Sequence, residues 1–305
     1  MARLSVIIPT RDRPGPLAGC LRTLAASFPP DAEVIVVSDG GSLPLEDVLA
    51  PFVVPLRLRL LTVPHRGPAA ARNRGLAVAS GEIVAFTDDD CRPGEGWLEA
   101  IASAVASSPP TAAGGTTRNG LTTNAYADAS QFILELVGRH DRTINGHELF
   151  FSSNNLAFPA DALRRLGGFD ETFRTAEDRD LCRRWQAAGF KLRHVATAVV
   201  EHDAQLDLRR FVRQFFAYGR GAAQFHAAGG PRSFRDSLRF HVRLPALARP
   251  EVMQRGLRGG FDLLALLLLW EVVNLCGFVR GAWTPPIGGA AAAARTATAL
   301  EEQTR

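Results

Sequence analysis

Cysteine is scarce and scattered. The four residues, Cys20, Cys91, Cys182 and Cys276, include no C-x-x-C pair. That argues against a thiolate zinc site and against a disulfide framework, and it suits a reducing cytosol. Lysine is almost absent: Lys191 is the single one, and arginine supplies the rest of the basic charge, a bias that points to genome composition and to no particular chemistry. Long apolar runs are missing as well. The longest, Leu263–Trp270, falls short of the about 20 residues a spanning helix needs, and Asp262, Glu271 and Asn274 interrupt its surroundings. The N-terminal "MARLSVIIPT" holds only a short apolar run before "RDR", so it reads as a first strand and not as a secretory signal. With 46% hydrophobic residues over 305 positions, bulk disorder is excluded, and the chain is long enough for one large domain or two smaller ones.

The first half alternates short β-branched runs with helical spacing. "LSVIIP" (4–9), "EVIVVS" (33–38), "LRLRLL" (56–61) and "EIVAFT" (82–87) read as strands. Between and after them, Leu17, Leu21 and Leu24, the small-residue segment "AAARNRGLAVAS" (69–80), and Trp97, Leu98, Ile101 and Val105 read as helices. Such alternation predicts right-handed βαβ units on a mainly parallel, Rossmann-like sheet, an α/β fold. Ligands of such sheets bind beyond the carboxyl ends of the strands. Thr10, Asp39 and Asp88–Asp90 each follow a strand, so they are expected over one crevice, and the acidic ones call for a cation.

The segment "FTDDDC" (86–91) concentrates the question. If it stays extended, Asp88 and Asp90 share a face and Asp89 points away. Two convergent carboxylates suit Mg²⁺ or Mn²⁺, which commonly take one or two carboxylates plus substrate phosphates. The competing reading is a solvated acidic turn before the helix at Trp97, since Asp is common in turns.

Four segments in order, "SVIIPTRDRP", "VIVVSDGGS", "GPAAARNRGLAVASGEIVAFTDDDC" and "RTAEDRDLCRRWQAAGF", resemble the family 2 glycosyltransferases, which have the nucleotide-sugar-binding GT-A fold. The resemblance covers roughly residues 3–203. It implies that Thr10 and Asp39 contact the base and ribose, that Arg72, in preference to Arg74, lies near the base or diphosphate, and that Asp88 and Asp90 form the D-x-D motif. Asp90 would sit on the metal with Asp88 nearer the ribose, and Asp89 is counted with the donor-binding residues. Asp178 of the "ED" pair is the implied catalytic base, with Glu177 positioning it, and His202 falls where many members place a metal-binding histidine. His65 and Arg66 would lie near the diphosphate loop. The implied reaction is metal-dependent, inverting transfer of one sugar from a UDP-, GDP- or dTDP-sugar to a hydroxyl on a glycan, lipid-linked or small acceptor. Asp180, two residues past Asp178, faces elsewhere on a helix and reads as structural. The chain departs from the Q-x-x-R-W motif of processive synthases, having Leu181 where glutamine belongs, so Trp185 reads as core and transfer as non-processive. A sugar-phosphate nucleotidylyltransferase would want a Gly-rich basic loop after strand one, which "PTRDRPGPL" fits poorly. A catalytically inactive nucleotide-sugar-binding protein would have no need of Asp88, Asp90 and Asp178.

Domains are expected at 1–203 for the catalytic unit and 204–287 for a basic, apolar helical extension, with a mobile tail at 288–305. Residues 116–150 read as a polar loop followed by a helix that lines the site and selects the acceptor. From Ala204 to Gly260 there are eleven arginines against three acidic residues. The helix at 261–279 is expected to pack on the domain, to pair with a second subunit, or to lie on the inner leaflet of a membrane through 204–280. The expected location is cytoplasmic or peripheral on that membrane, and no nucleic-acid motif is present.

Overall fold

The computed structural model describes residues 3–145, 150–229 and 234–283. The expected tail at 288–305 lies outside them. The first half runs β1 (Leu4–Thr10), α1 (Pro14–Ala26), β2 (Ala32–Asp39), α2 (Glu46–Leu49), β3 (Arg59–Val63), α3 (Pro68–Val78) and β4 (Ile83–Phe86). It continues through β5 (Cys91–Pro93), α4 (Trp97–Ser103), β6 (Ala106–Ser107), β7 (Pro110–Asn119) and α5 (Ala125–Asn145). Then come β8 (Leu156–Pro159), α6 (Ala160–Arg165), α7 (Glu177–Ala187), β9 (Lys191–His202), α8 (Leu208–Ala227), α9 (Phe234–Gln254) and α10 (Gly256–Ala282).

One sheet has the order β3-β2-β1-β4-β8-β7-β9-β5, with β6 paired to β7. The four strands read from their apolar runs are parallel neighbours, β3 starting at Arg59 and not at Leu56. The other half is mixed: β8 runs antiparallel to both β4 and β7, β9 parallel to β7, and β5 antiparallel to β9. Both faces of β1 are buried, which is why it shows an unbroken apolar run: Val6 and Ile8 pack with α1, α2 and α4, and Ile7 with α3, α6 and α7. Trp185 is fully buried in the second layer, as read from the missing synthase motif.

The expectation for 116–150 needs correction at its start. Residues 110–119 are not a loop but β7. "PTAAGGTTRN" has no alternation because the strand is flanked on both sides, and its small residues admit close neighbours. A Cβ on Gly115 would lie 2.2 Å from the Ala198 carbonyl oxygen and 2.4 Å from Asn155 Oδ1. Asn155 fills that space, donating to the Thr116 and Ala198 carbonyls while accepting from Trp97 Nε1.

A third apolar cluster joins α5, α8, α9 and α10, centred on Phe211, Phe215, Phe240 and Trp270. Among the described residues, α10 is the one helix long and apolar enough to cross a membrane by length and composition. It lies instead along α8, and the seam has no slack: a Cβ on Gly277 would stand 2.2 Å from the Phe216 carbonyl oxygen. Glycine is otherwise a poor residue inside a helix. Gly277→Leu is therefore expected to lower stability by about 1–3 kcal/mol despite its better helix propensity, measured as a fall in the urea midpoint; an unchanged or higher midpoint would mean the seam is loose.

Candidate active site

Strand ends build the site. The chain does not stay extended after β4 but turns, the Asp88 carbonyl accepting from the Cys91 N–H at 3.1 Å. This corrects the expected alternation: Asp88 and Asp90 do not point together. Arg72 meets Asp88, while Arg13 is shared by Asp89 and Asp90 and His202 adds to Asp90. Asp88 accepts from Arg72 Nη2 at 2.7 Å. Asp89, 3% exposed, accepts from Thr10 Oγ1 at 2.7 Å and lies 3.1 Å from Arg13 Nη1. Asp90 accepts from Arg13 Nη2 at 2.6 Å and lies 3.4 Å from His202 Nε2.

The electrostatics divide the triplet. Burial pushes Asp89 up to about 7, against the pull of Arg13 and Thr10. Burial opposes ionisation of Asp90 too, but the hydrogen bond and charge of His202, with Arg13, hold it well below the usual carboxylate range. His202 is raised in turn: burial works against its charge, and Asp90 outweighs it. Of Asp89 and Asp90, then, the one more fully ionised near neutral pH is the one beside the imidazole.

Arg72 is the second hub. It sits on the inward face of α3, 3% exposed, while Arg74 is exposed. Its Nη1 donates to Glu177 Oε1 at 2.9 Å while Nη2 holds Asp88, so one side chain ties the acidic turn to the start of α7. Asp39 does not reach outward unassisted: its carboxylate accepts from His65 Nδ1, Arg66 N–H and Gly67 N–H at 2.7, 2.8 and 3.0 Å. That fixes the loop before α3, with His65 facing the cavity and Arg66 turned away to Glu171.

Asp178 stands at the start of α7. It accepts from the Arg179 N–H at 2.7 Å and the Ser153 N–H at 3.4 Å. Burial lifts its pKa, which those two N–H groups and the Arg179 and Arg72 charges counter without cancelling. Glu177 is raised for the same first reason, with the Asp178 charge adding to it. The turn is strained, since Ala176 has φ 67°, where a non-glycine residue costs about 1–2 kcal/mol. It is held from outside the sheet: Thr175 Oγ1 donates to the Ala217 carbonyl of α8 at 2.9 Å. Asp180 faces away and binds Arg183 and Arg184, the structural role expected of it.

Thr10, Asp39, Arg72, Asp88–Asp90, Glu177, Asp178 and His202 all line a single cavity of about 1220 Å³. Asp39, Asp90 and Asp178, which come from separate elements, thus share one space. Sequence reasoning missed Arg13, although the basic "RDR" directly after β1 was its signal. It missed Ser153, whose contribution is a backbone N–H without sequence signature, and Tyr218, a polar ring on the mostly apolar α8 that reaches the same cavity.

For a divalent cation the donor set fits. Asp90, Cys91 and His202 offer atoms within 4.8 Å of one another. Cys91 is fully buried, and burial raises its thiol well above the usual range, which leaves a carboxylate and an imidazole at the cavity wall, a pair that Mn²⁺ accepts. Asp88 is not in that cluster.

With this geometry, comparison with known proteins is decisive. Residues 5–167 match the profile "Glycosyl transferase family 2". The chain belongs to glycosyl transferase family 2. A nucleotidylyltransferase gives way to that membership. The chain is 36% identical over 229 residues to the pre-mycofactocin glycosyltransferase of Mycobacterium tuberculosis, 72% of this chain and 47% of that protein. It thus spans about half the length of this curated relative. Over 111 residues it is 34% identical to validoxylamine A glucosyltransferase of Streptomyces hygroscopicus subsp. limoneus, 35% of this chain and 24% of that one. In fold it is similar to the mannosyltransferase PcManGT of Pyrobaculum calidifontis in complex with GDP-Man and Mn²⁺, with TM-score 0.67, 18% identity, and coverage of 92% and 87%. It is also similar to residues 1–349 of S. aureus TarS in complex with UDP, with TM-score 0.53, 14% identity, and coverage of 92% and 90%. These likenesses establish the α/β GT-A fold.

Removing Arg72 strands two acidic partners. Arg72→Met is expected to cost about 3 kcal/mol, read from guanidinium denaturation, and Glu177→Gln in that background is expected to return part of it. A loss that the second substitution leaves untouched would show that Arg72 acts by packing alone.

Proposed function

We propose that this family 2 glycosyltransferase transfers one sugar, with inversion and with the help of a divalent cation, from a nucleotide-diphosphate sugar to an acceptor hydroxyl. The observation that carries the reading is that Asp178 lines the same cavity as Asp90, His202, Asp39 and Thr10. Asp39 and Thr10 mark the nucleoside end, and Asp88 the ribose side. Asp90 and His202 would hold Mn²⁺ or Mg²⁺ with the donor's diphosphate oxygens. When bound, that cation supplies Lewis-acid stabilisation of the leaving diphosphate.

The chain's own residues do the rest. Asp178 accepts the acceptor proton as that oxygen forms its bond to the anomeric carbon, and the carbon–phosphate oxygen bond breaks with its electron pair leaving on the nucleoside diphosphate. One base with in-line attack inverts the anomeric carbon, and no covalent sugar–protein adduct is needed. The Ser153 and Arg179 N–H groups fix the carboxylate's direction, and its raised pKa makes it a better proton acceptor than an exposed aspartate. Glu177, bound to Arg72, positions the turn. The donor's base is among uracil, guanine and thymine; the structural neighbours are in complex with GDP-Man and with UDP.

The test is nucleoside diphosphate release from a panel of UDP-, GDP- and dTDP-sugars with Mn²⁺, with and without a chelator. Turnover that stops on chelation and returns with Mn²⁺ is expected. Asp178→Asn is expected to cut transfer by about 10²–10⁴-fold while donor affinity, measured by calorimetry, stays as it was. An equal loss of donor affinity would remove the base assignment. The sign of the pH dependence follows from the raised Asp178: its ionised fraction declines as pH falls through a value above the usual carboxylate range. The acid limb of kcat/KM is therefore expected above that range, and a profile flat down to it would contradict the role.

A further inference from the structure

Among the described residues, helix α10 leaves one side without a partner. Phe261, Leu264, Leu268, Val272, Leu275 and Val279 follow at intervals of three or four, and all are exposed, from 41% at Leu264 to 72% at Phe261. Leu257 and Trp283 extend the stripe at its ends, 98% and 82% exposed. At 3.6 residues per turn the eight lie within an arc of about 100° and along about 39 Å. The opposite face, with Leu263, Leu267 and Trp270, is buried in the core of the helical extension. Soluble monomers rarely expose a continuous apolar surface of this size.

What covers it is decided by charge and composition. A spanning role fails, because α8 is fastened along α10 and exposes Arg209, Arg213 and Arg220, each costing about 2.5–3.5 kcal/mol at mid-bilayer. Residues 284–305 offer only Ile287 and Leu300 as large apolar side chains, too few for a stripe of eight. A second copy meets repulsion: among the described residues of 207–282, nine arginines are exposed against two acidic residues, Asp207 and Asp262. An anionic lipid surface has the opposite sign. Arg258 directly follows Leu257 and Arg280 directly follows Val279, so a cation borders each end of the stripe at headgroup height.

We propose that α10 lies in the plane of an anionic lipid surface, its apolar stripe in the acyl boundary and its arginines among the headgroups. Leu275 belongs to the stripe and also lines the cavity, so the cavity opens beside the lipid. Resting on the proposed transfer reaction, this deepens it: the acceptor is an amphiphile anchored in that surface, its hydroxyl presented at headgroup level.

The full chain, mixed with vesicles of phosphatidylcholine containing phosphatidylglycerol, is expected to float with them, to release in high salt or alkaline carbonate, and to remain behind with phosphatidylcholine alone. Leu268→Glu with Val272→Glu is expected to weaken flotation by about tenfold or more, a change of about 1.4 kcal/mol or more, with the thermal midpoint and donor affinity unchanged; Leu268→Ser serves should the double variant not fold. No flotation of the unmodified chain, retention through carbonate, or a stable dimer by light scattering that the same substitutions split would each overturn the proposal. Nucleoside diphosphate release in vesicle-free buffer tests the transfer chemistry separately, so failure of one reading is distinguishable from failure of the other.

Discussion

Three neighbouring carboxylates on one turn are sustainable only because cations reach them from separate elements. Arg72 comes from α3, Arg13 from the loop after β1, and His202 from the end of β9. Within the low dielectric beneath the cavity, like charges this close would otherwise protonate or push the turn apart. The compensation also has a division of labour. Burial lifts Asp89 to about 7, His202 and Arg13 keep Asp90 ionised, and Asp88 faces a guanidinium that answers also to Glu177. The charge network therefore registers strand ends, helix starts and the turn into α7 against each other.

The helical extension completes this arrangement. The sheet contributes Thr10, Asp39 and Asp88–Asp90 to the cavity, and α5 and α8–α10 add the rest of its lining, with Phe215, Tyr218, Trp270 and Phe278. Three apolar clusters, two on the sheet faces and one in the extension, hold these parts together.

Much of this was legible in the sequence, for identifiable reasons. Strands buried on both faces announce themselves as β-branched runs, so β1, β2 and β4 were plain. The small residues around Arg72 reflect a helix pressed on the sheet, which buries Arg72 and leaves Arg74 exposed. Asp180 and Trp185 were read as structural from spacing and from a missing glutamine. What failed has physical causes too. Alternation along "FTDDDC" assumed an extended backbone, and a tight turn overrode it. Strand β7 carries no period because its small, polar residues are held by neighbours on both sides. Arg13 could be found only by knowing that β1 ends beside the acidic turn. The run Leu263–Trp270 is apolar on every side, so its periodicity does not say which face is covered.

Behind the turn into α7 there is no free space. A Cβ on Gly221 of α8 would lie 2.2 Å from Thr175 Oγ1 and 2.8 Å from the Thr175 carbonyl oxygen, and Thr175 takes its partner 42 positions away on the same helix. The aim of the Asp178 carboxylate is thus inherited from a helix outside the nucleotide-binding sheet. A small change in the tilt of α8 would therefore move the Asp178 carboxylate as well. Divergence in reaction rate within such a scaffold can arise from helix-packing residues that never meet a substrate.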